Sequence, residues 1–152
     1  MLVMAIAACV GSWTLEDGVY AVSGQNAQQR SGDFFPVVSL RDARWTIEDQ
    51  GDGMWSLQAY APDGTWVWGR RGVLPEEDGA FRLELDQAPS CGELPGWHEI
   101  DIVPLGPERF EGRWDLFEQP SLCDDAGCIC TGDVPAVTWA LDLIGTRSSD
   151  LP

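Results

Sequence analysis

The feature that most constrains this chain is a series of short segments in which apolar and polar residues alternate. Residues 81–86 read Phe-Arg-Leu-Glu-Leu-Asp, so in an extended strand the apolar side chains face one side and the charged ones the other. Residues 110–116 and 137–143 show the same period of two, whereas helical periodicity is scarce. Seventeen glycines and ten prolines supply turns between such segments. The pattern predicts an all-β fold.

We expect a single antiparallel meander of about eight strands with mostly short connections, forming either a barrel or a sandwich. The acidic segments 48–53 and 76–79 contain Asp-Gly, which suits tight turns, and they lack the closing glutamate of a calcium loop. Residues 24–35 and 118–135 are predicted to be loops, and the tail from Thr146 is predicted to fray. The strands are expected near residues 12–23, 36–49, 54–60, 65–72, 81–86, 97–104, 110–116 and 137–143.

Tryptophan is frequent, with eight residues in the chain. Four of them stand two positions after a glycine, against about one expected by chance from this composition. We interpret the glycine as releasing the chain from a turn and the ring as opening the next strand on its inward face. Trp66 and Trp68 are expected on one face, because they are two residues apart. The four tryptophans that follow a glycine in this way are Trp13, Trp55, Trp66 and Trp114.

The residues predicted to point inward are bulky. An eight-stranded barrel has an interior that side chains fill or that admits one small molecule, and the bulk favours a filled interior. The alternative is an aromatic-lined pocket for a small apolar compound or a sugar, with Trp45, Trp55, Trp114 and Trp139 as candidate ligand-binding residues. The full inward set is Trp45, Trp55, Phe81, Leu83, Leu85, Ile100, Ile102, Phe110, Trp114, Trp139 and Leu141.

The charge balance excludes some partners. The chain has 25 acidic and 9 basic residues, no lysine, and a formal net charge of −16. Nucleic acid is therefore not expected as a partner, since phosphate binding requires a basic patch. Anionic lipid headgroups would repel the same surface, so membrane attachment requires an anchor. The acidity favours solubility over binding of divalent cations, and we expect neither a metal nor a cofactor.

Catalysis has little support in the sequence. His98 is the only histidine, and it alternates in phase with Ile100 and Ile102, which indicates a partly buried side chain with a hydrogen-bond partner. The chain has no Gly-x-Ser-x-Gly nucleophile motif, and its carboxylate pairs fall on outward faces or in turns. We expect a protein that is not an enzyme.

The first nine residues are apolar and end in Ile6-Ala7-Ala8-Cys9, which resembles the lipobox of bacterial lipoprotein signal peptides. The resemblance implies that residues 1–8 are a signal peptide and that residues 9–152 form one extracytoplasmic β-domain. Cys9 would carry the lipid that binds the membrane. Val10, where lipoproteins of the inner membrane carry aspartate, implies an outer-membrane location. The apolar run is too short to span a bilayer as a helix.

Five cysteines are consistent with this interpretation, because lipid on Cys9 leaves an even number for disulfides. Cys128 and Cys130 flank a single residue, so a bridge between them would be strained. We expect one of them to pair with Cys123 and the other with Cys91, and both connectivities remain open. The alternative, a zinc site, lacks the Cys-x2-Cys spacing of common zinc modules, and disulfides are usual in oxidising compartments.

A second resemblance concerns both ends of the β-domain. Gly11-Ser12-Trp13 on the first strand of an eight-stranded meander, together with a late Arg147, resembles the lipocalins, in which such an arginine stacks on the tryptophan. This resemblance implies a barrel that binds a small apolar ligand. Our principal prediction is nevertheless a lipid-anchored lipoprotein with a structural or protein-interaction domain in the cell envelope. A lipocalin-like binding protein is the alternative.

Overall fold

The computed structural model describes residues 12–31, 43–89 and 91–149. Within these residues the chain forms ten β-strands and no helix, so the predicted all-β class is confirmed. The strands are β1 (Gly18–Gln29), β2 (Ala43–Gly51), β3 (Met54–Tyr60), β4 (Trp66–Val73), β5 (Phe81–Gln87), β6 (Gly96–Gly106), β7 (Arg109–Glu118), β8 (Ser121–Asp124), β9 (Gly127–Cys130) and β10 (Ala136–Arg147).

Eight strands form one antiparallel sheet in the order β4-β3-β2-β1-β10-β7-β6-β5. The last strand, β10, pairs with β1 on one side and with β7 on the other, which brings the two ends of the meander together. Strands β4 and β5 are the edges of this sheet, and they approach each other where Arg70 Nη2 donates to the Glu84 carbonyl oxygen at 2.9 Å. The sheet is therefore a nearly closed barrel. We call the opening between β4 and β5 the seam.

The acidic segment at 48–53 forms a tight hairpin turn, as predicted. Gly51 pairs with Met54 across the β2–β3 hairpin, which leaves Asp52 and Gly53 as the two turn residues. Both have positive φ angles, of 55° and 74°, which is the conformation of a type I′ turn. Asp-Gly was the informative signal, because these two residues tolerate that conformation better than most others.

One continuous apolar cluster occupies the barrel interior. In β6, Ile100 and Ile102 are fully buried, whereas Glu99 and Asp101 face solvent, as the alternation predicts. Burial of each large side chain contributes roughly 2–3 kcal/mol. All of the predicted inward residues belong to this cluster except Leu85, which is partly buried and packs against it.

The predicted loop at 24–35 is wrong for its first half. Strand β1 continues to Gln29, and its second half pairs with β10, for example Gln25 with Asp142. The side chains here are polar because they face solvent, so this stretch lacks the apolar alternation that identifies a half-buried strand. Residues 12–17, predicted as strand, precede β1 without pairing in the sheet. Residues 32–35, and the predicted strand segment at 36–42, lie outside the described residues.

The prediction of a loop at 118–135 is also wrong in part, because β8 and β9 form a separate two-stranded hairpin within it. Its strands are short and almost wholly exposed, and for that reason they show no buried face in the sequence. The tail prediction fails at Arg147, which ends β10 and donates its backbone N–H to the Glu108 carbonyl oxygen. Residues 150–152 lie outside the described residues.

Candidate functional site

The seam opens into a cleft of about 480 Å³, which we call the seam cleft. Because β4 and β5 do not pair as neighbouring strands, the cleft extends from the surface between them to the aromatic residues of the barrel interior. Its walls come from the two edge strands, and two residues of β6 and β7 lie deeper. The lining residues are Trp66, Val67, Trp68, Gly69, Arg70, Leu85, Asp86, Gln87, His98 and Trp114.

A chain of tryptophan rings forms the inner part of the seam cleft. Trp68 packs edge-on against Trp45 and Trp114, with ring centroids 5.0 and 6.3 Å apart. Trp114 in turn meets Trp139 edge-on at 5.9 Å. Edge-to-face contacts are the geometry that aromatic quadrupoles favour, so the rings stabilise one another. The inner wall of the cleft is therefore aromatic.

Two of these rings carry buried N–H groups without an acceptor. Among the described residues, neither Trp45 Nε1 nor Trp68 Nε1 has a hydrogen-bond partner, although the two side chains are 1% and 6% exposed. An unsatisfied buried donor costs about 1–3 kcal/mol, and native structures contain few of them. Trp68 lines the cleft, and its N–H has less than 1 Å² of accessible surface, so an acceptor in the cleft reaches this group only when the ring turns.

His98 shows how the same region satisfies its other polar groups. Trp114 Nε1 donates to His98 Nδ1 at 2.9 Å, and His98 Nε2 lies 3.1 Å from Gln87 Oε1. An indole N–H can only donate, so Nδ1 is the acceptor and Nε2 carries the proton. Burial lowers the pKa of His98 below its ordinary value, and the nearby Glu118 carboxylate opposes this shift. The predicted hydrogen-bond partner of His98 is confirmed, and the side chain, which was expected to be partly buried, is buried and only 8% exposed.

Trp66 and Trp68 were expected on one face, and this expectation is wrong. Trp68 pairs with Ala59 and Trp66 with Tyr60, so the register shifts by one residue between them and leaves Val67 as a bulge. A bulge reverses the alternation, and Trp66 is consequently 59% exposed while Trp68 is buried. The indole nitrogen of Trp66 would lie 3.4 Å from a Cβ at position 69, so Gly69 leaves room for this ring.

The interpretation of the glycine–tryptophan pairs as inward rings that open strands holds only in part. Trp55 is buried near the start of β3, whereas Trp13 is 53% exposed and Trp66 also faces outward. Trp114 is buried but lies in the middle of β7, two residues after a glycine that belongs to the strand. The glycine–tryptophan spacing does not determine whether a ring points inward or outward. The position where a strand starts and any bulge within it decide which of its residues point inward.

The rim of the seam cleft is polar and carries both signs of charge. Arg70 on β4 and Asp86 on β5 are exposed, and the half-buried Gln87 reaches toward His98. Arg70 also spans the seam through its bond to Glu84. The site therefore combines an aromatic inner wall with a rim that donates and accepts hydrogen bonds.

The four predicted ligand-binding tryptophans are all buried in the barrel. Trp114 lines the seam cleft, and Trp45 and Trp139 contact the rings at its inner wall. Trp55 lies elsewhere and packs edge-on against Phe81 at 5.7 Å. No feature of the sequence singles out Trp68, because this residue lines the cleft only through the position of β4 at the edge of the sheet. The remaining lining residues were missed for the same reason.

The cysteines form the disulfides Cys91–Cys130 and Cys123–Cys128, which is one of the two predicted connectivities. All four sulfur atoms are therefore bonded, and none is left as a thiolate ligand for the alternative zinc site. The second bridge joins directly opposed residues of the β8–β9 hairpin, and the first joins that hairpin to the loop after β5. Disulfides fit an extracytoplasmic location. Cys9, with all of residues 1–11, lies outside the described residues.

Arg147, the late arginine of the lipocalin resemblance, lies at the end of the barrel where β1 and β10 pair. Its guanidinium forms ion pairs with Glu16 at 2.7 Å and Glu108 at 3.5 Å, and its side chain passes directly over Gly18. Trp13 is half exposed, and Gly11 lies outside the described residues.

Comparisons with known proteins provide no relative. No protein family matches the chain, and no curated protein or solved structure is significantly similar to it. In the part of the chain that the structure describes, no helix has the length and apolarity needed to cross a membrane.

Proposed function

We propose that the chain is a lipid-anchored lipoprotein of the bacterial cell envelope, located in the outer membrane, whose non-catalytic β-domain acts through contacts with another protein. The segment Ile6-Ala7-Ala8-Cys9 supports the anchor, and Val10 supports the outer membrane. The two disulfides support a site outside the cytoplasm.

The observation that carries the interaction role is an apolar pair on the β8–β9 hairpin. Leu122 and Ile129 are cross-strand partners and are 71% and 73% exposed, on the face opposite the disulfide sulfurs. Val134, shortly after the hairpin, is 71% exposed. Exposed apolar side chains that lie together on a disulfide-bonded hairpin outside the core are typical of contact surfaces. We call Leu122, Ile129 and Val134 the hairpin patch.

The charges around the hairpin patch define the partner. Asp124 ends β8, Asp125 is the first residue of the hairpin turn, and Asp133 directly precedes Val134. A partner that covers the patch must therefore offer an apolar groove with a basic rim, because like charges at the rim would oppose association. We propose an envelope protein with such a groove.

The anchor is tested by cell fractionation of a Cys9→Ser variant. We expect wild-type protein in the outer-membrane fraction and the variant in the soluble fraction, since serine cannot form the thioether. A Val10→Asp variant should move to the inner membrane, and Val10→Ser is its matched control and should stay with the wild type. Unchanged membrane association of Cys9→Ser would overturn the anchor.

The interaction role is tested by photo-crosslinking in intact cells. A photoreactive residue at position 129 should give one discrete adduct, which a Leu122→Ser substitution removes and Asp124→Arg weakens. The control position is 74, because Leu74 is 66% exposed but lies in the turn between β4 and β5. Identical adducts at 74 and 129, or none at 129, would contradict a contact role for the hairpin patch.

A second candidate function is binding of a small apolar ligand, as in the lipocalins. The observation in its favour is the aromatic inner wall of the seam cleft, to which Trp114 contributes. Titration with lauric acid while tryptophan emission is followed tests this candidate. A saturable change that Trp114→Phe weakens supports it, and emission that does not respond rejects it for fatty acids.

A further inference from the structure

We propose that the seam cleft binds a neutral saccharide, with one pyranose ring against Trp66 and a hydroxyl oxygen accepting from the indole N–H of Trp68. This site is distinct from the hairpin patch and does not depend on the lipid anchor. The argument uses the unpaired donor, the charges at the rim, and the exposed ring.

The unpaired donor favours a ligand with hydrogen-bond acceptors. Trp68 lines the cleft, is 94% buried, and finds no acceptor for Nε1 among the described residues. Its neighbour Trp45, with ring centroids 5.0 Å away, has the same unmet donor. A hydrocarbon ligand would leave both groups unsatisfied, whereas a hydroxyl or ring oxygen satisfies the one it reaches. This favours an oxygen-rich ligand over a purely apolar one.

The charges favour a neutral ligand. The rim presents a guanidinium on Arg70 and a carboxylate on Asp86, so a ligand with net charge of either sign meets one repulsive group. The net charge of −16 adds long-range repulsion of anions. Hydroxyl groups both donate and accept, so they can bond to Arg70, Asp86 and the Gln87 amide at once.

The exposed ring supplies a flat apolar surface. Trp66 is 59% exposed at the mouth of the cleft, on the outward side of the β4 bulge, and Gly69 leaves room beside its ring. A pyranose has apolar C–H faces and a polar equator, which matches an aromatic surface surrounded by hydrogen-bonding groups. Ligand sites commonly combine such a surface with a few fixed polar groups, and the seam cleft has both.

The test is a titration of the full chain, in a detergent without a sugar headgroup, with maltotriose, cellotriose and chitotriose. We expect at least one of these neutral trisaccharides to bind with a Kd tighter than about 1 mM by calorimetry. Trp68→Phe keeps an aromatic ring but removes the donor, and should weaken binding about threefold to tenfold. Trp66→Ala should weaken it by a similar or larger factor, since the ring contact is lost.

The matched control is Trp97→Phe. Trp97 lies on the outer face of β6, stacks on Phe117 with centroids 5.0 Å apart, and donates its N–H to Glu99. It does not line the seam cleft, so binding should be unchanged. Thermal unfolding of each variant separates loss of the site from loss of the fold, and Trp68→Phe should unfold close to the wild type because it removes an unsatisfied group.

A ¹⁵N-edited spectrum of the indole region gives a direct readout. The Trp68 resonance, assigned by its loss in Trp68→Phe, should move downfield in its proton dimension when the saccharide binds. The proposal is overturned if none of the three trisaccharides binds. It is also overturned if neither Trp66→Ala nor Trp68→Phe changes the Kd. It is equally overturned if only lauric acid binds in the cleft, or if glucuronate binds and the neutral sugars do not.

Discussion

The two sides of the barrel are held together in different ways. On the side of β10, which we call the closed side, backbone pairing joins β10 to both β1 and β7, and each of the two ladders contains one register shift. At the seam, the structure shows a side chain of one edge bonded to the backbone of the other, Arg70 to Glu84. Backbone ladders exclude other molecules from between strands, whereas an open seam leaves interior aromatic groups within reach of a ligand. The candidate binding site therefore lies at the seam and not on the closed side.

The closed side also depends on the absence of side chains. Gly145 in β10 lies against the Phe110 ring, and a Cβ at that position would overlap the ring atoms. Phe110 is itself fully buried and packs on Tyr20 and Trp45. At the seam, by contrast, large side chains form the walls. Close approach therefore stabilises one side of the barrel, and side-chain bulk shapes the other.

The largest expected effect concerns the disulfide that fixes the loop beyond the seam edge β5. Bridges that close longer loops stabilise more in the chain-entropy model, and Cys91–Cys130 spans 39 residues against 5 for Cys123–Cys128. Replacing Cys91 and Cys130 by alanine should lower the free energy of unfolding by about 4 kcal/mol, against about 2 kcal/mol for the other pair. Urea unfolding of both double variants measures this, and equal losses would contradict a special role for the longer bridge.

The second prediction concerns the close contact between Gly145 and the Phe110 ring on the closed side. Gly145→Ala should lower the free energy of unfolding by about 2–3 kcal/mol, because its Cβ forces the buried Phe110 ring to move. Gly106→Ala, also at a strand position, is the control, since a Cβ there meets nothing within 4 Å, and it should change stability by less than about 0.5 kcal/mol. If both variants unfold alike in urea, the closed side tolerates more bulk than we infer.

The dependence of stability on alkaline pH tests the closed side, where Tyr20 lies on β1. Burial raises the pKa of Tyr20 to about 12, and its hydroxyl lies 2.7 Å from the Glu16 carbonyl oxygen. The folded protein keeps this proton after the unfolded chain has lost it, so stability should fall by roughly 2 kcal/mol as the pH rises from 10 to 12. A Tyr20→Phe variant should lack this component of the pH slope. If the unfolding free energies of the wild type and the variant change equally with pH, the pH dependence does not come from Tyr20.

An acid titration reports on the seam, with a smaller effect. The lowered pKa of His98 means that the unfolded chain takes up this proton first as the pH falls. The contribution of His98 is therefore present above about pH 6.5 and is lost as the pH falls below it, by at most about 1.4 kcal/mol per pH unit. His98→Gln keeps an acceptor for Trp114 and does not titrate. Its unfolding free energy between pH 7 and 5 should depend less on pH than that of the wild type.

The sequence alone determined the fold class, ten of the 21 residues of the apolar cluster and the partners of the cysteines up to one choice. Alternation in residues 81–86 and 97–104 identified inward residues correctly, because one face of each strand is buried and the other is solvated. Asp-Gly located the turn after β2, since the backbone conformation there selects those residues. These properties follow from local chemistry, which a sequence records directly.

The tertiary structure decided the features that depend on how strands meet. The exposed second half of β1 and the β8–β9 hairpin lack an apolar pattern, so only their backbone pairing reveals them. The bulge at Val67 turned Trp66 outward, and the position of β4 and β5 at the sheet edges brought Trp68 and His98 to an opening. Register and closure arise from hydrogen bonds between distant segments, and alternation within one segment carries no information about them.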